Sequence, residues 1–224
     1  MPFMKLHNYF RSSASYRVRI ALELKGLPFE YVPVHLVKGE HCAPAHAAIS
    51  ADRLVPVLEV DGVHLAQSMA IIEFLDERYP APPLLPGDAM ARAQVRALAQ
   101  QIACEVHPVT NLRILKFLTQ EMGHDEAGKN RWYHHWCRQG LEAFERQLAR
   151  LAAQRAQAGL APSAFCLGDT PTLADCCIVP QLFNARRFAV PLEGLPHTLA
   201  ADAACAALPA FQRAHPSQCP DFAP

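Results

Sequence analysis

The sequence predicts an α/β N-terminal domain followed by an all-α C-terminal domain. Strand-like and helix-like segments alternate up to residue 79, where a proline-rich stretch at 80–88 interrupts the pattern. Beyond this stretch, apolar residues recur at helical spacing and no clear strand pattern returns. We therefore assign residues 1–83 to the α/β domain and residues 90–224 to the helical domain.

The first element is a strand at residues 3–9, in which hydrophobic side chains roughly alternate, and a helical run at 18–24 follows. Ser12, Ser13 and Ser15 therefore lie at a strand-to-helix turn. The N terminus of a helix presents unpaired N–H groups and the positive end of a dipole, which suit an anion or a thiolate. Serine is also a favoured N-cap residue, so simple helix capping is the alternative interpretation.

Three further strands are predicted in the α/β domain. One covers residues 29–34, where Pro33 favours an edge position because it lacks a backbone N–H. The other two form a hairpin at residues 55–65, with Asp61-Gly62 at its turn.

An amphipathic helix is predicted after the hairpin, with Gln67 directly before it and Ser68 as its N cap. Glu73 and Asp76 should lie on its solvent side. The element order is β-α-β, a poorly defined connector, and then β-β-α. This order predicts a thioredoxin-like unit, in which helices cover the faces of a sheet.

The C-terminal half is predicted to be helical. Helix candidates cover residues 91–118, 126–158, 172–185 and 198–207, and each of the first two has room for one break. Thr172 and Asp175 form a capping box before a nearly all-apolar helix, which should be the buried centre of this domain. The tail at 216–224 is irregular, and we expect it to be loose.

The composition of the 224 residues excludes several functional classes. Charged residues make up 19% of the chain, the formal net charge is zero and the pI is near 7.2, so nothing indicates a nucleic-acid or membrane-surface partner. No apolar run is long enough to span a bilayer. Residues 1–5 lead straight into a strand and lack the layout of a signal peptide, so we expect a cytoplasmic protein.

The 8 cysteines and 11 histidines are scattered along the chain. No CxxC pair or zinc-ligand spacing occurs, so no metal site is predicted. Without a secretion signal, the cysteines are expected to be reduced and mostly buried. His134 and His135 are adjacent, and adjacent residues on a helix do not face one another.

The stretch from Ser12 to Leu22 carries a resemblance to a known family. Its Ser-Ser-x-Ser-x-Arg-Val-Arg-Ile-Ala-Leu pattern is similar to the signature of the zeta class of cytosolic glutathione transferases. Proteins of this family also combine a thioredoxin-like domain, a proline-rich linker and a helical domain with an early capping box. The chain departs from the signature at Ala14, where cysteine is common, which argues against a disulfide-exchange activity.

The resemblance implies that glutathione is a cofactor and lies along the edge of the thioredoxin-like domain. Val55-Pro56 resembles the family's cis-proline turn, which would present the Val55 backbone to the peptide like an added strand. Gln67 and Ser68 suit the γ-glutamyl carboxylate, and His41 is a candidate for the glycyl carboxylate. The residues expected to bind glutathione are Ser12, His41, Val55, Gln67, Ser68, His107 and Asn111.

By alignment to the signature, Ser12 is expected to meet the thiol and to stabilise its thiolate. Ser13 is the second catalytic candidate, and Ser15 is not excluded by the residues alone. The resemblance implies reversible addition of the thiolate to the double bond of a maleyl dicarboxylate, so that rotation gives the trans isomer. Arg11, Arg113 and Arg187 are the expected substrate-binding residues, although Arg186 is an alternative to its neighbour.

The segment at 107–113 reaches the active site and the dimer interface in the relatives. Pro108 should kink the chain, and His107 and Asn111, four residues apart, should share a helix face. A polar cluster that serves only the dimer contact is the other interpretation.

The implied activity is that of a maleylacetoacetate isomerase in aromatic amino-acid and tyrosine catabolism, carried out by a homodimer. Maleylpyruvate, which is shorter by one acyl unit, is an alternative substrate. A general conjugating transferase and a non-catalytic glutathione-binding protein on the same fold are further alternatives, because fold does not determine function.

Overall fold

A computed structural model describes residues 3–223 of the chain. The contacts divide the chain into two compact units. One unit runs to Leu84 and resumes at Ala206, and the other extends from Leu85 to Cys205. The first unit contains a four-stranded mixed sheet with helices, and the described elements of the second are helical, which confirms the predicted fold class.

The first unit is built on a sheet with the strand order β2-β1-β3-β4. Strand β1 pairs in parallel with β2 and antiparallel with β3, and β3 pairs antiparallel with β4. Pro33 ends β2 at the edge of the sheet, as predicted. The elements are β1 (Met4–Asn8), α1 (Ser13–Leu24), β2 (Glu30–Pro33), α2 (Pro44–Ala47), β3 (Val57–Val60), β4 (Val63–Ala66) and α3 (Ser68–Arg78).

The core of this unit lies between the sheet and two helices. Leu6 of β1, Ile20 of α1 and Ile71 of α3 are each 0% exposed, and α1 packs against α3. Burying a side chain of this size stabilises the fold by about 1.5 to 3 kcal/mol. The turn before α1, which holds Ser12, and the start of α3, which holds Ser68, are therefore supported by a common core.

Asp76 of α3 is buried, contrary to the prediction that it faces solvent. Its Oδ1 lies 2.8 Å from Nζ of Lys25, whose side chain is 0% exposed. The same oxygen accepts the Leu84 N–H at 2.7 Å. The ammonium also donates to the carbonyl oxygens of Tyr79 and Pro82. This ion pair therefore fastens the start of the proline-rich stretch to the first unit.

The second unit begins with a helix that is interrupted more often than predicted. A π-helical segment, Gln101–Val106, separates its first two helices. In contrast, the second predicted helix is continuous. The helices are α4 (Ala89–Gln100), α5 (His107–Thr110), α6 (Leu112–Gln120), α7 (Glu126–Gln157), α8 (Leu173–Arg187) and α9 (Pro196–Ala206).

The π-helical segment precedes Pro108, where the sequence predicted a kink. Proline cannot donate the backbone hydrogen bond of a regular helix, and its ring clashes with the preceding turn, so the local widening has a physical cause. Gly140 of α7 lies against this segment, since a Cβ built there would be 2.2 Å from Cγ2 of the buried Val106. Only glycine allows this close approach.

Helix α8 is the buried centre of the second unit, as predicted. Leu173, Ile178 and Leu182 are each 0% exposed. The capping box is present, because Asp175 Oδ2 accepts the Thr172 N–H at 2.8 Å while the Thr172 side chain caps the helix start. This local signal in the sequence was therefore sufficient to place the helix.

Residues 216–223 of the C-terminal tail are not loose, contrary to the prediction, and they belong to the first unit rather than to the helical domain. They begin with a 3₁₀ turn at Pro216–Gln218 and directly follow α10 (Pro209–Ala214), which packs against α1. Cys219 of the tail is 8% exposed, and Phe211 of α10 is 2% exposed. Burial of these apolar side chains outweighs the irregular sequence pattern.

Candidate active site

The turn between β1 and α1 holds Ser12 as the N cap of α1. Its backbone is extended, and its Oγ accepts a hydrogen bond from the Ser15 N–H at 3.2 Å, so the capping interpretation is confirmed. Capping uses an oxygen lone pair and leaves the hydroxyl hydrogen for donation, because a hydroxyl is both a donor and an acceptor. A half-buried hydroxyl at the positive end of a helix can therefore cap the helix and stabilise a thiolate together.

The other two hydroxyls of this turn are less accessible. Ser13 is 3% exposed and Ser15 is 0% exposed, and Ser15 Oγ accepts the Tyr9 N–H at 3.5 Å. Burial and this inward contact favour Ser12 as the hydroxyl that meets a ligand. The catalytic roles of Ser12 and Ser13 stay predictions.

Arg11 directly precedes Ser12 and is half-buried. Its guanidinium lies 4.9 Å from the centre of the Phe10 ring, within the range of a cation–π contact. The ring keeps the charge beside the turn, where a substrate carboxylate is expected. Substrate binding by Arg11 stays a prediction.

Arg17 joins α1 to the start of α3. Its side chain is buried, and Nη1 donates to Ser68 Oγ at 3.3 Å. Ser68 is the first residue of α3, and Gln67 occupies the N-cap position that was predicted for Ser68. A buried guanidinium at a helix N terminus adds positive charge beside unpaired N–H groups, which favours a bound carboxylate.

Gln67 holds the carboxylate of Asp52 beside the start of α3. It is exposed, with a positive φ of 69°, and its Nε2 donates to Asp52 Oδ2 at 3.1 Å. Ser50 Oγ and the Leu54 N–H donate to Asp52 Oδ1 and hold the loop. The γ-glutamyl end of glutathione carries an ammonium and a carboxylate on one carbon, so the pairing of Asp52 with the start of α3 fits that group. Asp52 was not predicted, since a loop position gives no periodic signal.

Val55 and His41 lie on two other loops of the first unit. The Val55–Pro56 peptide bond is cis, as the family resemblance implied, and Val55 is buried directly before β3. His41 is half-buried in the 3₁₀ turn Glu40–Cys42. Contacts of either residue with glutathione stay predictions.

In the second unit, Arg186 and Arg187 end α8 and differ in their contacts. Arg186 Nη2 donates to Asp202 Oδ2 at 2.6 Å. The Arg187 guanidinium is exposed and lies 4.9 Å from the centre of the Phe188 ring, which stacks on Tyr133. Arg186 is thus paired with Asp202, and substrate binding by Arg187 stays a prediction.

Helix α5 ends at Thr110, and Asn111 is its C cap, with a ψ of 165° that turns the following chain away. Residues 107–110 are helical and the φ of Asn111 is −79°, so the shared face of His107 and Asn111 stays a prediction. Asn111 Oδ1 caps α6 by accepting the N–H groups of Arg113 and Ile114 at 3.1 and 3.4 Å. Arg113 is exposed and His107 half-buried. Glutathione binding by His107 and Asn111 and substrate binding by Arg113 stay predictions.

All eight cysteines are free thiols. Only Cys42 and Cys104 are exposed, which confirms the prediction that most cysteines are buried. Burial raises the pKa of the Cys137 thiol to about 11 and also raises the pKa of Cys205. A protonated, buried thiol is a poor nucleophile.

Within residues 3–223, no cluster of three or more metal-binding side chains has the arrangement of an ion site. His134 Nε2 lies 2.6 Å from the Phe188 carbonyl oxygen, whereas the His135 ring packs edge-on against Trp136. The two adjacent histidines therefore have separate surroundings. Among these residues, the helices are also too short or too polar to span a bilayer.

Comparison with known families identifies both halves of the chain. Residues 6–83 match the model of the glutathione S-transferase N-terminal domain, and residues 125–213 match that of the C-terminal domain. The maleylacetoacetate isomerase of Pseudomonas aeruginosa is 45% identical over 221 residues, which cover 97% of this chain and 98% of that protein.

Two solved structures extend the similarity to the fold. A maleylpyruvate isomerase, a bacterial zeta-class enzyme, has a TM-score of 0.91 at 48% identity, with 98% of this chain and 100% of that chain covered. The maleylacetoacetate isomerase of Anaeromyxobacter dehalogenans, solved with glutathione in its active site, has a TM-score of 0.86 at 43% identity, with 98% of each chain covered. This chain therefore belongs to the glutathione S-transferase family, and within that family to the zeta class.

Proposed function

We propose that this protein is a glutathione-dependent cis–trans isomerase that converts maleylacetoacetate to fumarylacetoacetate. The observation that carries the proposal is the β1–α1 turn, where the half-buried Ser12 hydroxyl lies at the N terminus of α1. Glutathione would supply a thiolate that adds reversibly to the substrate's double bond. The maleylacetoacetate isomerases of the two bacteria support this choice of substrate.

The role proposed for Ser12 is to make that thiolate abundant. A free thiol has a pKa of about 8.5, so only a few per cent is ionised at pH 7. A hydrogen bond from Ser12 and the positive end of α1 both favour the ionised form. The chain holds no cysteine at this turn, because Ala14 stands there.

The remaining glutathione contacts are proposed to lie away from the thiol. Ser68, with Arg17 behind it, would bind the γ-glutamyl carboxylate, and Asp52 would bind the ammonium group beside it. Gln67, Val55, His41, His107 and Asn111 are the other proposed contacts. This division predicts that binding and thiol activation respond to different substitutions.

Ser12→Ala should keep glutathione bound but raise the pKa of its thiol. The pH–rate profile should then move towards alkali, with a loss of about ten- to a hundredfold in kcat near pH 7. Kinetics across pH and calorimetric titration with glutathione would measure the two effects. Ser13→Ala tests the second catalytic candidate, and because Ser13 is buried we expect it to keep the wild-type profile. A wild-type profile in Ser12→Ala would assign thiolate stabilisation to the helix terminus or to another hydroxyl.

Maleylpyruvate is the second candidate substrate, because the maleylpyruvate isomerase structure is 48% identical with a TM-score of 0.91. Turnover of maleylacetoacetate and maleylpyruvate should be measured side by side, with and without glutathione. We expect turnover only with glutathione and a higher kcat/KM for maleylacetoacetate. A higher kcat/KM for maleylpyruvate would assign that substrate. Glutathione binding without turnover of either acid would exclude both isomerase activities.

Thiol-blocking reagents should leave the isomerase largely active. The accessible thiols, Cys42 and Cys104, lie outside the Ser12 turn, and burial protects the other six. The measurement is kcat after alkylation and removal of excess reagent, with mass spectrometry to count modified cysteines. Protection of Cys42 by glutathione would indicate that its neighbour His41 lies at the bound peptide. Complete loss of activity without unfolding would contradict this assignment of the site.

We further propose that the protein is a cytoplasmic homodimer that acts in the degradation of aromatic compounds such as tyrosine. Free thiols are typical of reducing compartments, which supports a cytoplasmic location. The net charge is zero, so electrostatic repulsion between two copies of the chain is small, which favours a dimer. Light scattering should give twice the 24.7 kDa chain mass. A monomer at micromolar concentration would contradict the dimer.

A further inference from the structure

The C-terminal tail reaches the backbone of the β1–α1 turn. Asp221 Oδ2 accepts the Phe10 N–H at 3.3 Å, and its Oδ1 accepts the Tyr31 O–H at 2.5 Å. The Phe222 ring packs edge-on against the Phe10 ring, with 5.6 Å between ring centres. Phe10 lies only two residues before Ser12, so a residue near the end of the chain contacts the start of the proposed catalytic turn.

Arg19 holds the carbonyl side of the same residue, Phe10. It is 2% exposed, and its Nη2 donates to the Phe10 carbonyl oxygen at 3.0 Å. Its Nε donates to the Ala214 carbonyl oxygen at 3.1 Å, and its Nη1 donates to Asn8 Oδ1 at 3.0 Å. The N–H of Phe10 is therefore held by the tail, and its C=O by a buried guanidinium of α1.

The contact of Asp221 with Tyr31 fixes the orientation of the carboxylate. Burial, followed by the hydrogen bond to Asp221, raises the pKa of Tyr31, so the phenol stays protonated and donates. Cys219 of the tail packs in one apolar cluster with Tyr9, Phe10 and Val55. The tail thus contacts the backbone before Ser12 and shares an apolar cluster with Val55, a proposed glutathione contact.

We propose that Asp221 is a positioning residue that sets the place of the Ser12 hydroxyl through the backbone of Phe10. The Ser12 N–H donates to the Tyr9 carbonyl oxygen at 3.0 Å. Displacement of the Tyr9–Phe10 peptide would therefore also displace Ser12. Small displacements of a positioned group have large effects on reactivity. The inference rests on the proposed function of Ser12 in stabilising the glutathione thiolate.

The test compares Asp221→Ala with Asp221→Asn in the full-length protein with glutathione bound. The pKa of the bound thiol is read from the ultraviolet absorbance of the thiolate across pH. Asp221→Ala should raise this pKa and lower kcat about three- to tenfold near pH 7, with little change in KM for glutathione. Asp221→Asn should stay near the wild type, because its amide oxygen can still accept the Phe10 N–H.

The pair of variants separates position from charge. Loss of one negative charge would lower the thiol pKa in both variants alike, so a rise confined to Asp221→Ala identifies positioning. Asp169→Ala, which removes an exposed carboxylate elsewhere, is the control and should change neither quantity. Tyr31→Phe removes only the phenol contact, and it should shift the pKa in the same direction by less, even if Asp221→Ala fails to fold.

Equal thiol pKa values in Asp221→Ala and Asp221→Asn would overturn the inference, as would a change confined to the melting temperature. If Asp221→Ala fails to fold, an unchanged thiol pKa in Tyr31→Phe would overturn it. The thiol titration does not depend on the substrate. If the wild type isomerises neither dicarboxylate while Asp221→Ala raises the thiol pKa, the proposed reaction fails and the positioning role stands. If the wild type isomerises its substrate and no variant changes the thiol pKa, only the positioning role fails.

Discussion

Asp76→Ala should lower the free energy of unfolding by about 3 to 5 kcal/mol, a large share of the roughly 5 to 15 kcal/mol that stabilises a typical protein. The Lys25 ammonium, which is 0% exposed and 2.8 Å from Asp76, would be left buried without its counter-charge. The Leu84 N–H would also lose its acceptor. The effect is large because removal of one partner leaves the desolvation penalty of the other unopposed.

Denaturant unfolding of the variants measures this effect. Glu142→Ala, which breaks the partly exposed pair with Arg138, is the control and should change stability by no more than about 1 kcal/mol. The double variant Lys25→Met with Asp76→Ala should recover part of the loss, because no buried charge remains. An Asp76→Ala variant within about 1 kcal/mol of the wild type would show that water reaches Lys25 and that the pair is not a buried one.

The features predicted correctly from the sequence depend on neighbouring residues. The N-cap serine at 12 and the capping box at Thr172 each involve groups within a few positions of one another, and the edge position of Pro33 follows from its own missing N–H. Such preferences belong to the residues themselves and can be recognised without any tertiary contact. The serine-rich turn was therefore recognisable as a candidate site without a structure.

The contacts that complete the site were not predictable, because they join distant positions. Arg17 and Ser68 are 51 residues apart, and Phe10 and Asp221 are 211 residues apart. Neither pair leaves a periodic pattern in the sequence. The tail was predicted to be loose for the same reason, since its order depends on surfaces that exist only after the first unit folds.

The extra break of the predicted helix at Asn111 has a local origin. Pro108 and the π-helical segment before it interrupt the helix, and Asn111 then begins the next helix as its cap. Asparagine is a strong N-cap residue, so the local capping preference overrode the longer periodic pattern.

Arg187→Ala should lower kcat/KM for the dicarboxylate by about 2 to 4 kcal/mol, or roughly 30- to 900-fold, and leave the pKa of bound glutathione unchanged. A guanidinium can hold a carboxylate through two parallel hydrogen bonds. The resemblance to the zeta class assigns this role to Arg187, and Arg186 is paired with Asp202. An ion pair that stays in water contributes only about 0 to 1 kcal/mol. An effect of the larger size therefore requires the bound substrate to exclude water from the guanidinium.

A substrate ester tests whether the loss arises at the carboxylate. A monomethyl ester lacks one negative charge, so the wild type should turn it over about as slowly as Arg187→Ala turns over the diacid. Arg187→Ala should turn over the diacid and the ester at similar rates. Arg187→Lys should recover only part of the rate, because an ammonium lacks the bidentate geometry. Arg186→Ala is the matched control and should affect kcat/KM much less. Equal losses for diacid and ester in Arg187→Ala would assign this arginine to the packing of Phe188 and not to the substrate.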